Sequence, residues 1–164
     1  MKRCLPILAF CVAATALIAG TIEIPNARLI DERLLLGGQP TEAQLTEMAE
    51  AGYVRIVNLR GPGENGSIEN ERELVESLGM EYVAIPIASG NDFSAEAIQA
   101  LQKATADSDE KVVVHCASGN RVGVLFALKA FKLDGLSADA AKELGAAYGM
   151  RGMPAQVEEQ LKAD

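Results

Sequence analysis

The chain has 164 residues, 15 basic against 23 acidic side chains and a net charge of −8. That is enough for one domain with a proper core, and too negative for nucleic acid or an anionic membrane surface to be its partner.

The first twenty residues read as an export signal. Lys2 and Arg3 precede an apolar stretch over residues 5–18, and Ala14-Thr15-Ala16 or Leu17-Ile18-Ala19 offers a small-residue cleavage site. The charge-free run over residues 4–22 is nineteen residues long, so a retained N-terminal membrane anchor is the alternative. Pro6, Thr15, Gly20 and Thr21 weigh against it. The expectation is a signal peptide over 1–20, a single domain over 21–164, a periplasmic or secreted location and no membrane contact after cleavage.

Cleavage would remove Lys2, Arg3, Cys4 and Cys11, leaving 144 residues with 13 basic and 23 acidic side chains, one thiol (Cys116) and one imidazole (His115). One thiol cannot form an intramolecular disulfide. One cysteine with one histidine excludes the familiar Cys/His zinc sites. No dinucleotide, P-loop or metal-ligand spacing occurs, so no cofactor is expected. At net −10, any anion site must be built locally from a few donors.

The remaining chain alternates strand and helix signals. Apolar bursts at Leu29-Ile30 and Leu34-Leu35-Leu36 predict two edge strands. Thr41 with Gln44 three residues on is a capping box, and the helix it starts should run to about Ala51 and stop at Gly52. A strand over 54–59 leads into a polar loop over 60–67. Ser67 is expected to open a second helix ending at Gly79, with Leu74, Val75 and Leu78 on its apolar face. A strand over 82–85 is closed by Pro86, and Ser94 caps a third helix in which Ile98, Leu101 and Ala104 recur at helical spacing. A buried strand over 112–115 then stops at Cys116, and a helix with Val122, Leu125, Phe126, Leu128 and Phe131 follows. Ser137 caps a fifth helix up to Gly145, and Pro154 starts a sixth.

This is the pattern of an α/β layer fold. Strands 54–59, 82–85 and 112–115 are joined by helical crossovers and should be parallel. Ligands bind at the carboxyl ends of such strands, so loops 60–67, 86–93 and 116–121 should surround one pocket.

The chemistry concentrates in Cys116-Ala117-Ser118-Gly119-Asn120-Arg121. A thiol between a strand end and a helix mouth meets converging backbone N–H groups and the helix dipole, which favour negative charge on sulfur or on a bound oxyanion. Gly119 gives the turn its freedom. Arg121 can add two parallel hydrogen bonds to an anion. A thiolate beneath a bound oxyanion is a nucleophile for electrophilic phosphorus or sulfur. His115 either hydrogen-bonds the loop and helps ionise the thiol, or is a strand-end residue satisfied by a carbonyl; both can hold together.

Val57-Asn58-Leu59-Arg60, the loop with Glu64, Ile85-Pro86-Ile87 and His115-Cys116-Ala117-Ser118-Gly119-Asn120-Arg121-Val122-Gly123 resemble, in this order, the dual-specificity branch of the protein tyrosine phosphatases. The best match is the bacterial phosphatase-like domain found alone or attached to beta-lactamase-hydrolase-like proteins, over roughly residues 27–150. The resemblance implies a central, mostly parallel sheet of four to five strands flanked by helices. It also implies a phosphocysteine on Cys116, with phosphate bound by Arg121 and the amides of Ala117, Ser118, Gly119 and Asn120, and an aspartic acid that protonates the leaving oxygen. Its substrate would be a small anionic or phosphorylated molecule.

Three positions depart from the family. Four residues separate Cys116 from Arg121 where phosphatases have five, a spacing that resembles the Cys-x-x-Gly-x-Arg persulfide loop of rhodanese-type sulfurtransferases. Val122 replaces the usual hydroxyl residue, and Ser89 stands where the acid would fall. Asp92 is the best substitute acid, Glu64 the second. Arg60 could touch the anion or pair with Glu64, and Arg151 could close the pocket. The expected function is a cysteine-dependent hydrolase of phosphoric monoesters. A sulfurtransferase with a Cys116 persulfide is the first alternative, and a non-catalytic oxyanion or phosphoprotein binder the second.

Overall fold

The structure, a computed structural model, describes residues 22–106 and 109–162; the export signal expected over 1–20 lies outside them. Five strands form one sheet: β1 (Arg28–Ile30), β2 (Leu34–Gly37), β3 (Tyr53–Asn58), β4 (Glu81–Ala84) and β5 (Lys111–His115), in the order β1-β2-β5-β3-β4. Only β1 runs antiparallel to its neighbour; β2, β5, β3 and β4 pair in parallel. Six helices accompany them: α1 (Glu42–Glu50), α2 (Glu71–Ser77), α3 (Ala95–Thr105), α4 (Asn120–Lys132), α5 (Ala138–Ala147) and α6 (Ala155–Gln160).

Side chains alternate across a strand, so each strand feeds two cores. Leu36, Val57, Val112 and Val114 face α3 and α4, meeting Ile98, Leu101, Leu125 and Leu128. Leu35, Ile56 and Val113 face the other way onto Leu45 and Met48 of α1 and Val75 of α2. Thr41 caps α1 with the expected reciprocal Gln44 bond, and Ser94 and Ser137 cap α3 and α5. No helix among the described residues is long and apolar enough to cross a membrane.

The structure corrects three expectations. Leu34–Leu36 is not an edge: β2 lies between β1 and β5 and is buried throughout, because β1 folds back over its outer side. Ser67 does not open the second helix. Its N–H closes a turn onto Glu64 O, and α2 starts after Asn70, which holds a left-handed φ of 58° without a side-chain cap. Helix α5 passes Gly145 and ends at Ala147, with Tyr148 as its C-cap, since Gly145 serves packing instead of termination.

The sheet register sets the site. Gly37, His115, Asn58 and Ala84 form one row across β2, β5, β3 and β4, so the segments leaving these strands emerge side by side. Helix α4 is buried from Val122 to Leu128, and its closest approach is at Gly123, where a Cβ would stand 2.2 Å from Met150 N and 2.6 Å from Gly145 O. Gly123→Ala is expected to force this backbone apart at a cost of about 1–3 kcal/mol. Thermal unfolding should show the midpoint several degrees lower.

Candidate active site

Cys116 directly follows β5 and is 1% exposed. Its N–H donates to Gly37 O (3.2 Å), and the N–H of Gly119 donates to its Sγ at 3.1 Å. Gly119 is the residue before α4 and takes a φ of 85°, which a side chain would strain. The sulfur therefore sits at the N-terminus of a thirteen-residue helix with a backbone donor aimed at it.

The loop is held from several sides. Gln39 N donates to Ala117 O (3.3 Å), while Asn26 Nδ2 (3.1 Å) and Arg151 Nη2 (3.2 Å) both donate to Ser118 O. The Asn120 side chain is a clamp: Oδ1 accepts from Arg151 N (2.7 Å) and Gly152 N (3.0 Å), and Nδ2 donates to Gly152 O (3.0 Å). Arg151 thus lies against the loop through Ser118, as a surface residue.

Loops 60–67 and 86–93 meet this loop at Arg121. Its Nη1 donates to Glu64 Oε2 (2.8 Å) and Ile87 O (2.7 Å), and its Nη2 to Glu64 Oε1 (2.5 Å). This bidentate pair pulls the Glu64 carboxyl down to about 2, helped by the Gly61 N–H and the charge of Arg60. The pair raises the Arg121 guanidinium in turn, and Cys116 adds to that rise. Because the folded carboxyl titrates below its ordinary value of 4.5, the pair's contribution to stability is whole above that pH and is lost as pH falls toward 2. Gly61, Pro62, Gly63, Glu64, Ala88 and Arg121 line an open cavity of about 450 Å³.

Arg60 lies behind the lining of this cavity. It is buried, and its guanidinium donates to Gln39 Oε1 (2.8 Å), Gly66 O (2.9 Å) and Asn65 O (2.6 Å), with Nε 3.2 Å from Glu64 Oε1. It shapes loop 60–67, and of the two roles expected for it the pairing with Glu64 is the one observed. Asp92 is likewise committed to its own turn: Oδ2 accepts from Ala88 N (3.0 Å), Ser89 N (2.7 Å) and Ser89 Oγ (3.0 Å), which lowers its pKa. It lines a separate cavity with Pro86, Ser94 and Ala97, away from Arg121. A carboxylate held ionised by three donors is poorly suited to give up a proton, so Asp92→Asn should keep most of any turnover, checked by steady-state kinetics.

His115 and Cys116 point to opposite faces of the sheet. His115 is fully buried, with Nε2 3.1 Å from Glu71 Oε1, a close contact without the alignment of a hydrogen bond. Glu71, also buried, accepts from Asn58 Nδ2 (2.8 Å) and Gln39 Nε2 (3.1 Å), and Asn58 Oδ1 accepts from Arg60 N (2.7 Å). This polar floor ties the ends of β2, β3 and β5 together beneath the site. The sequence reading missed Glu71, Asn58 and Gln39. The available signal was Glu71 four residues before Val75, a charge on the apolar stripe of α2.

Solved structures share this arrangement of strands and helices. The DUF442 protein of Shewanella putrefaciens superposes with a TM-score of 0.67 at 23% identity, over 85% of this chain and 92% of that one. Tk-PTP in its active form gives 0.64 at 22% identity, over 84% and 94%. PTPMT1 in complex with PI(5)P gives 0.64 at 17% identity, over 84% and 92%. The fold is that of the protein-tyrosine-phosphatase-like, dual-specificity-like proteins. Residues 26–132 match the family of the beta-lactamase hydrolase-like protein, phosphatase-like domain, and the chain belongs to that family. The beta-lactamase hydrolase-like protein of Xylella fastidiosa is 36% identical over 124 residues, covering 73% of this chain and 28% of that protein; that of Agrobacterium fabrum is 33% identical over 103 residues. The chain thus spans under a third of the length of these curated relatives.

Proposed function

We propose that this protein is a cysteine-dependent hydrolase of phosphoric monoesters with Cys116 as nucleophile. The observation that carries the reading is the sulfur at the mouth of α4, with the Gly119 N–H on it and the Arg121 fork beside it. A thiolate there attacks phosphorus; the S–P bond forms as the P–O bond to the leaving group breaks, and the leaving oxygen takes the electron pair and a proton. Water then attacks phosphorus, and the thiolate leaves with the pair it gave. The two parallel N–H groups of Arg121 match two phosphoryl oxygens, and the loop amides at Ala117, Ser118, Gly119 and Asn120 supply further donors. His115 is a positioning residue through Glu71. Val122 offers no hydroxyl to the departing thiolate, so breakdown of the phosphocysteine is the slower step.

PTPMT1 was solved with PI(5)P and TpbA of Pseudomonas aeruginosa with pTyr, both phosphorylated ligands. The small residues Gly61, Pro62, Gly63 and Ala88 around the cavity fit a compact phosphate ester with few steric demands. The apolar, charge-led stretch over residues 1–20 supports reading this activity as one of a periplasm or of the cell exterior.

The short loop favours a second reading. With four residues between Cys116 and Arg121 the ring is narrower, and the same thiolate could attack the outer sulfur of thiosulfate, releasing sulfite and leaving a persulfide that cyanide removes as thiocyanate. One pair of assays separates the readings. The expected result is hydrolysis of an aryl phosphate with no sulfur added to Cys116 by intact mass after thiosulfate. A gained sulfur without hydrolysis moves the assignment to sulfur transfer.

A further inference from the structure

Arg121 already holds an oxyanion. The Glu64 carboxylate spans its two terminal nitrogens in the fork geometry a phosphate or sulfate would use, with Arg60 Nε at 3.2 Å and the Gly61 N–H at 3.2 Å completing the cradle. Beside that pair Cys116 is 1% exposed, and Arg121 feels its charge as well as that of Glu64. Glu64 is the most exposed member of this cluster, its side chain 28% exposed against 21% for Arg121 and 3% for Arg60, and so the one best placed to leave. We propose that Glu64 is a built-in occupant of the anion site: an incoming oxyanion takes Arg121 by displacing this carboxylate, and the displaced carboxylate binds a proton.

The proton follows from the charges around Glu64. From α4 it faces Arg121, from its own loop Arg60, and from the end of β5 the Cys116 thiol by way of Arg121. Ala88 brings no charge from loop 86–93, and the carboxylate of Asp92 is turned into its own bend. The Arg121 hydrogen bonds are the main force holding Glu64 in its ionised form, and a bound dianion replaces them with repulsion. Proton affinity therefore rises on displacement, and oxyanion binding strengthens as pH falls. The step rests on the anion site proposed above and deepens it. In the phosphatase reaction the protonated Glu64 donates to the leaving oxygen, then returns to Arg121 once phosphate departs. The donor sought in loop 86–93 is thereby placed in loop 60–67.

Sulfate, which does not titrate in this range, is the probe, and Cys116→Ser in the full chain removes the thiol's own titration. Sulfate binding to C116S and to C116S/E64Q is measured by calorimetry between pH 5.5 and 7.5, in buffers of different ionisation heat. The expected result is proton uptake and tighter binding toward low pH in C116S, and neither in C116S/E64Q. The second variant should bind sulfate about tenfold more tightly at pH 7.5, since a neutral amide competes poorly for Arg121. E64A, with no side-chain acceptor, should shift in the same direction, and matched thermal midpoints establish that each variant is folded. Equal or weaker binding in C116S/E64Q, or an unchanged proton count, overturns the inference while leaving the anion site standing. Absence of sulfate binding in both variants overturns the two together.

Discussion

Cys116→Ser is expected to lower hydrolysis of an aryl phosphate by about 10⁴- to 10⁶-fold, the loss seen when an enzyme's nucleophile is removed. The fold should not suffer. Serine is close to cysteine in size, and its Oγ can still accept the Gly119 N–H that Sγ accepts at 3.1 Å. What disappears is a polarisable, readily ionised nucleophile, because a serine hydroxyl in this position has no adjacent base: the one histidine points to the other face of the sheet and contacts Glu71. Oxyanion affinity should survive, since Arg121 and the loop amides are retained. Turnover by C116S within tenfold of the wild type would show that hydrolysis uses another group.

Arg121→Lys should cost about 10²- to 10³-fold in turnover, although the charge is retained. The guanidinium holds two oxygens of one carboxylate and, at the same time, the carbonyl of Ile87. An ammonium is a point charge without the fork, so it cannot grip two phosphoryl oxygens and anchor loop 86–93 together. The loss should appear in both kcat and kcat/KM, as orientation of the phosphoryl group worsens in the ground state and the transition state. A lysine variant with unchanged kcat would confine Arg121 to holding the loops.

Much of this site is legible in the sequence because its parts obey local rules. Thr41, Ser94 and Ser137 cap helices by bonding backbone N–H groups only three residues away. The valines before Cys116 form a strand buried on both faces, and Gly119 marks a turn with positive φ. From these, the gathering of loops 60–67, 86–93 and 116–121 follows by the rule for parallel strands, and Arg121 touches both other loops.

Partners that the local pattern does not single out decided what was not legible. Ser67 resembles a helix cap, but loop 60–67 wraps the Arg60 guanidinium through the carbonyls of Asn65 and Gly66, which delays α2 until Asn70. Leu34–Leu36 reads equally well as an edge or an interior strand until the pairing with β5 is known. Asp92 sits at the right distance along the chain to be an acid, yet the amides of Ala88 and Ser89 claim its carboxylate. Glu71 becomes a buried acceptor only because β2 and β3 bring Gln39 and Asn58 to it.

The most direct measurement is the covalent state of the sulfur during turnover. Wild-type protein mixed with an aryl phosphate and quenched in denaturant within the first turnovers should carry one phosphoryl group, located on the peptide containing Cys116. Steady hydrolysis with no phosphoryl group on that peptide at any quench time would contradict the assignment of Cys116 as the attacking atom.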